Sequence, residues 1–212
     1  MGIGLTVTGR GPRVATPGSA RINLAVPGRH NALNAAAAFG LTVQVGVAVA
    51  DVVAGLAAYR GARRRMELKG EADGVQVIDS YAHHPTELAA DLAAARDIAT
   101  GGRVIAIFQP HLFSRTRLFA TEFGAALGQA DEVLVLDVYA AREDPEPGVT
   151  GRLIADAVPG GGAVFLPDRA AIPAAVAGLA KPGDLVLTMG AGDVTQLGPQ
   201  IIAALKDRAA GL

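Results

Sequence analysis

Four short apolar runs, Val104 to Phe108, Val133 to Val138, Val164 to Leu166 and Leu185 to Met189, recur along the chain with amphipathic stretches between them. Each is short for a helix and too continuously apolar for a strand with one wet face, so each reads as a strand of a parallel sheet buried on both faces. Parallel neighbours need crossovers, and these are right-handed and helical. The expected fold class is therefore α/β, a doubly wound and mostly parallel sheet. Such sheets meet their ligands at the carboxyl ends of the strands, which places functional side chains immediately after Asp79, Phe108, Val138 and Met189.

The run before Asp79 belongs to a hairpin. Met66 to Lys69 and Val75 to Asp79 flank Ala72-Asp73-Gly74, a turn able to take positive φ. Upstream the pattern differs. Gly4 to Thr8 and Arg21 to Val26 read as short strands, Asn31 to Phe39 as an alanine-rich helix, and Val49 to Tyr59 as a second helix after the Gly46 break. These elements make no complete parallel sheet, so residues 1–60 are expected to be the tail of one domain and residues 61–212 a second domain.

Composition removes several function classes. The 19 Lys plus Arg against 20 Asp plus Glu leave a net charge of -1, which gives no global attraction to nucleic acid or to an anionic membrane. The absence of cysteine excludes disulfides, thiolate metal sites and cysteine nucleophiles. The apolar stretches fall short of a membrane span, and a cytoplasmic location is expected.

Two strand ends carry a dense polar constellation. Asp79-Ser80-Tyr81-Ala82-His83-His84-Pro85-Thr86-Glu87 leaves a strand and enters a helix, because Pro85 suits a first helical position and Leu88, Leu92, Ala95 and Ala99 follow at helical spacing. A helix N-terminus favours anions through its free amides and its dipole. In the plainer reading His84 caps the helix and His83 packs. Phe108-Gln109-Pro110-His111-Leu112-Phe113-Ser114-Arg115-Thr116-Arg117 repeats the arrangement. There Arg115 can hold a carboxylate bidentately, and His111 can donate a hydrogen bond or carry a proton near neutral pH. Two strand ends that both deliver a histidine and a polar partner point to a shared cleft.

A third motif, Pro27-Gly28-Arg29-His30-Asn31-Ala32-Leu33-Asn34, sets Asn31 and Asn34 three residues apart, close enough to share a helix face. An asparagine amide can present donor and acceptor together to an adenine edge, or it can serve as a helix cap. Other signals are weaker. Arg63-Arg64-Arg65 reads as a solvated edge or a strand start and is too short to argue for nucleic acid. Gly190-Ala191-Gly192-Asp193 lacks the third glycine of a dinucleotide fingerprint and the Lys-Ser/Thr of a phosphate loop, and a tight turn explains it. The acidic loop from Arg142 to Gly148 reads as a rim at a strand end.

Together, the HNxxN from His30 to Asn34, the RRxE from Arg64 to Glu67 with DSYAHHPTE after it, and FQPHLFSRTR from Phe108 to Arg117 resemble the signatures of the Mur ligases, in the version that adds L-alanine. The first motifs are shared across the family, and the FQPH-x-x-SR segment is the discriminating one. The resemblance implies an enzyme of three domains, of which residues 61–212 would be the C-terminal, Rossmann-like, amino-acid-binding domain and residues 1–60 the remnant of the central ATPase domain. The GxxGKT/S segment of that ATPase is nowhere in the sequence, so the chain alone is expected to be inactive.

In such ligases ATP phosphorylates the lactyl carboxylate of UDP-N-acetylmuramate, and the amine of L-alanine attacks the acyl phosphate. By motif match Asn34 faces adenine with Asn31 nearby, Arg65 and Asp79 reach the nucleotide, and Tyr81, His83, His111 and Arg115 surround the amino acid, with His83 and His111 the catalytic candidates. Some members carry a basic residue where this chain has Leu112, which throws carboxylate recognition onto Arg115. Magnesium would be held mostly by residues outside this sequence and by ATP, and no metal site is assigned to the chain itself. Two other readings compete: a non-catalytic nucleotide- or effector-binding module of the same fold, and a metal site built from His83, His84 and His111 with Asp79. A related Mur or murein-recycling ligase is the alternative within the family.

Overall fold

The structure is a computed structural model that describes residues 3–11, 14–26 and 28–211, so Pro27 of the third motif lies outside the described residues. The chain divides into two compact units, residues 1–62 and 63–212.

In the first unit β1 (Ile3–Gly11) and β2 (Val14–Leu24) pair antiparallel. Two helices follow, α1 (Arg29–Gln44) and α2 (Val49–Ala58). Ile22, Leu24, Val26 and Ala35 form a small buried core to which Leu5, Phe39, Val53 and Leu56 add. Helix α1 begins after Gly28 at φ 98° and runs five residues beyond the expected Phe39. It stops where Gly46, also at φ 98°, turns its amide back onto the Val43 carbonyl. That left-handed glycine is an ordinary helix terminator.

The second unit holds a six-stranded sheet in the order β3-β4-β8-β5-β6-β7, formed by β3 (Glu67–Ala72), β4 (Val75–Ser80), β5 (Val104–Phe108), β6 (Glu132–Val135), β7 (Ala163–Phe165) and β8 (Leu185–Met189). Strand β3 runs antiparallel to β4, with a register irregularity between Leu68 and Gly70. All other neighbours are parallel. The β3–β4 turn is made by Asp73 and Gly74 at φ 50° and 69°, the left-handed pair that a two-residue hairpin needs.

Five helices connect and cover the sheet: α3 (Pro85–Ala99), α4 (Phe113–Leu127), α5 (Arg152–Ala157), α6 (Ile172–Leu179) and α7 (Leu197–Ala209). One buried cluster packs Leu88, Leu92, Phe123, Leu127 and Ile154 of α3, α4 and α5 against Val104, Ala106 and Phe108. The other packs Ile172, Val176, Leu197, Ile201 and Leu205 of α6 and α7 against Ile105, Ile107 and Val186. Alternate residues of β5 thus face opposite helical layers, which is why its sequence shows no polar face. The doubly wound α/β expectation holds, with the hairpin supplying the one antiparallel strand.

Strand β6 ends at Val135, three residues before the expected Val138. Asp137 Oδ1 accepts from the amides of Val138, at 2.8 Å, and Gly151, at 3.1 Å, which diverts the backbone from the ladder. A Cβ at Gly151 would lie 1.9 Å from the Leu136 carbonyl oxygen, so only glycine lets this loop close over the strand end.

Candidate functional site

The end of β4 is turned by Ser80, whose buried hydroxyl donates to Asp91 and accepts from the Ala82 amide at 3.1 Å. The chain then enters α3, with His84 as the capping residue, accepting from Thr86 N at 3.4 Å, and Pro85 as the first helical residue. His84 also meets the Phe119 ring edge-on at 5.2 Å. With His84 committed to the helix, Tyr81 and His83 are the rings left at the strand end. They meet edge to face at 5.2 Å, and His83 Nδ1 lies 2.9 Å from the Tyr81 carbonyl oxygen and 3.4 Å from Glu87 Oε2. Burial would raise the Glu87 carboxyl, yet the His83 amide and the charges of His83 and Arg65 outweigh it and hold Glu87 below its ordinary value.

The end of β5 lies beside this one. Gln109 donates from Nε2 to Asp193 Oδ1 at 2.8 Å, and its Oε1 accepts from Val194 N at 3.1 Å, tying the loop after β5 to the turn after β8. His111 and Tyr139 then form an isolated parallel bridge, and Leu112, at φ 74°, swings the chain into α4. The consequence is a ring cluster: His111 lies 6.2 Å from His83 and stacks on Tyr139 at 5.7 Å with 13° between planes. Arg115, on the first turn of α4, donates to the His83 carbonyl at 3.4 Å. Tyr81, His83, His111 and Arg115, expected to share one cleft, are brought together.

His111 Nδ1 is buried without a hydrogen-bond partner among the described residues. Burial, followed by the charges of Arg115 and His83, pushes the His111 imidazole below its ordinary value, against a weaker pull from Glu143. It is therefore neutral at pH 7, with a nitrogen free to accept a proton. Glu143, from the acidic rim, accepts from the Ser114 amide at 2.9 Å and from the Ser114 hydroxyl, and those bonds hold its carboxyl low. The rim is thus tied to the start of α4, and Glu146 adds a 2.9 Å ion pair with Arg117.

The nucleotide candidates belong to both units, Asn31 and Asn34 to the first and Arg65 and Asp79 to the second. Asp79 is fully buried, and both its oxygens are engaged: Oδ1 accepts from Thr188 Oγ1 at 2.7 Å, and Oδ2 from Thr195 Oγ1 at 2.8 Å and Arg64 Nε at 3.1 Å. Arg65 is half exposed and lies 3.8 Å from Glu87. Asn31 and Asn34 sit on α1 of the first unit, where Asn34 is exposed. The helix cap is Gly28, not Asn31.

Arg64, read from sequence as part of a solvated basic run, goes inward instead. Its guanidinium also donates to the carbonyls of Gly190, at 2.5 Å, and Gly192, at 3.2 Å, and lies 4.9 Å from the centre of the Tyr81 ring. The Gly190–Gly192 turn therefore presents carbonyls to a cation, the opposite of a phosphate cradle. Tyr139 falls in none of the motifs and Glu143 only in the acidic rim, although Tyr139 directly follows Val138, where a functional side chain is expected. Among the described residues no three His, Asp or Glu side chains converge on a metal position, and His84 packs edge-on against Phe119.

Comparison with known proteins covers this site. Residues 64–192 match the Mur ligase, glutamate ligase domain. The chain is 60% identical over 189 residues to a UDP-N-acetylmuramate--L-alanine ligase of Kineococcus radiotolerans, covering 88% of this chain and 40% of that protein. Among solved structures it resembles a UDP-N-acetylmuramate-alanine ligase of Thermotoga maritima, with a TM-score of 0.75 and 28% identity over 89% of this chain and 40% of that one. A murein peptide ligase of Psychrobacter arcticus follows, with a TM-score of 0.67 and 27% identity over 89% of this chain and 39% of that one. The chain thus spans about two fifths of the length of these relatives. The sheet, the paired strand-end histidines and these matches agree, and the chain belongs to the Mur ligase family.

Proposed function

We propose that this chain supplies the amino-acid side of a ligase that joins L-alanine to UDP-N-acetylmuramate in the cytoplasm, during peptidoglycan synthesis. The observation that carries the reading is the convergence of Tyr81, His83, His111 and Arg115 at two adjacent strand ends, with the His83 and His111 rings 6.2 Å apart. Arg115 offers a planar cation for the alanine carboxylate. Neutral His111 offers an acceptor for a proton of the attacking amine, and Tyr81 and His83 restrict how that amine approaches. The new amide bond forms as the acyl phosphate loses inorganic phosphate, and the proton leaves on the imidazole or on solvent.

ATP supplies the phosphoryl group that activates the lactyl carboxylate. Asn31 and Asn34 are assigned to the adenine, and Arg65 to the nucleotide. Asp79 meets the ribose hydroxyls by exchanging one of the donors that now occupy its carboxylate. Magnesium, expected with ATP, finds no set of three acidic or histidine ligands among the described residues, and the ATP phosphates would supply most of its ligands.

A chimera tests the reading: the matching segment of the Kineococcus radiotolerans ligase is replaced by this chain's residues, and phosphate release is followed with UDP-N-acetylmuramate, ATP and L-alanine. L-alanine-dependent release is expected. Arg115→Ala should raise the KM for L-alanine by about a hundredfold, the scale of a lost charge-assisted pair, and leave the KM for ATP unchanged. A folded chimera without L-alanine-dependent release, or equal effects on both constants, would sink the assignment.

A further inference from the structure

We infer that Tyr139 is a positioning residue for His111: its ring fixes the plane of the imidazole and the edge that the imidazole turns toward His83 and Arg115. The inference rests on the amino-acid-side reading above and adds to it a residue outside the family-like motifs.

Three observations converge on it. The backbones of the two residues are locked in register, since Tyr139 N donates to Pro110 O at 2.8 Å and Leu112 N donates to Tyr139 O at 3.0 Å around the isolated His111–Tyr139 bridge. The rings lie nearly parallel, 13° apart, at 5.7 Å, an offset stack rather than a chance contact. Gly192 abuts the Tyr139 ring: a Cβ there would stand 2.7 Å from Tyr139 Cγ and 2.5 Å from Gln109 Oε1. Gly192 thereby seats Tyr139, and Tyr139 seats His111. The turn after β8, which supplies none of the amino-acid-side residues itself, is linked through this stack to the imidazole.

The stack also bears on the proton. The charged groups facing His111 are Arg115 from α4, His83 from the loop after β4, and Glu143 and Arg142 from the rim after Tyr139; burial is the foremost influence on its titration. Tyr139 covers one face of the ring and so contributes to that burial. Removing its ring admits water to the imidazole and lets His111 protonate at a higher pH. The stack uses the ring and not the hydroxyl, so phenylalanine should replace tyrosine without loss.

The test is a pH titration of the histidine ring resonances of this chain by NMR, with His111 assigned through His111→Gln. Tyr139→Phe should keep the wild-type midpoint. Tyr139→Ala should raise it toward 6.5, the ordinary histidine value, and remove the ring-current displacement of the His111 signals. Gly192→Ala, which pushes on Tyr139 while leaving it in place, should move the same signals and guards against a Tyr139→Ala chain that fails to fold. In the chimera, Tyr139→Ala should lower kcat about tenfold or more, as misplacement of a catalytic group does, with the KM for ATP unchanged, and Tyr139→Phe should restore it. A His111 midpoint and ring signals that are the same in wild type, Tyr139→Ala and Gly192→Ala overturn the inference, whatever the chimera does. A fully active His111→Gln chimera instead overturns the role given to His111, while the hold of Tyr139 on the ring, read by NMR, stands.

Discussion

Arg64 Nε donates to Asp79 Oδ2 at 3.1 Å, so the residue that leads into β3 is pinned to the far end of β4, with the carboxylate fully buried and the guanidinium largely so. The same guanidinium reaches the turn after β8, and the ion pair therefore ties three segments at the carboxyl edge of the sheet. Removing the cation leaves a buried carboxylate with two threonine donors and no charge partner. Arg64→Ala should cost about 3 kcal/mol, read as a lower urea midpoint with unchanged slope. Arg65→Ala, at an exposed and distant pair, should cost less than about 1 kcal/mol. Equal losses at the two positions would refute this division of labour between the arginines.

His111 gives the chain a stability signature near neutral pH. Its folded value lies below 6.5, so the unfolded chain binds more protons as pH falls through the ordinary value toward the folded one. Stability on its account is complete above about pH 6.5 and declines as pH falls through that window. Urea midpoints measured from pH 7.5 to 5 should fall, and His111→Gln should flatten the fall. An unchanged slope in His111→Gln would show that the ring is not held neutral by its site.

Asp184 acts lower on the pH scale. Burial would raise its carboxyl, but hydrogen bonds from Arg103 and from the amides of Lys181 and Arg103 overcome this and hold it below 3.8. Its contribution is present above 3.8 and is lost as pH falls through the depressed folded value. Asp184→Asn should therefore destabilise the chain by about 3 kcal/mol at pH 7, and the wild-type and variant melting curves should converge in acid. Parallel curves at every pH would assign the effect to packing instead.

Gly124, on α4, is expected to resist the usual benefit of alanine in a helix. That benefit is about 1 kcal/mol, but the new Cβ would lie 2.4 Å from the Ala157 carbonyl carbon and oxygen at the end of α5. Backbone at that distance must move, which costs about 1–3 kcal/mol. Gly124→Ala should lower Tm, and a raised Tm would show that α4 and α5 can separate freely.

Strands buried on both faces are legible because little that is polar interrupts them: β5 is wholly apolar, Thr188 is the one polar residue of β8, and both strands begin and end where their runs do. Strand β6 is not legible to its end, since the Asp137 carboxylate competes for amides that sequence alone would give to the ladder. The cluster of Tyr81, His83, His111 and Arg115 is legible because the motif spacing and the strand-end rule coincide. Arg64 is hidden in a run of three arginines, and what distinguishes it, its pairing with the buried Asp79 and the carbonyls after β8, joins residues far apart in sequence. Tyr139 is hidden for a different reason. Its partner is distant in sequence, and the glycine that makes room for it lies on a third strand end.

The margins of the six-stranded sheet carry one more consequence. On one side β7 presents three residues. On the other, β3 loses its register between Leu68 and Gly70, and Gly70, at φ 151°, has the Ile202 side chain of α7 3.0 Å from where a Cβ would stand. Pairing with a foreign strand needs a long, flat row of unsatisfied amides and carbonyls. Neither margin offers one, so the kinked, helix-covered border and the stunted border both work against amyloid-like growth from the edges of this sheet.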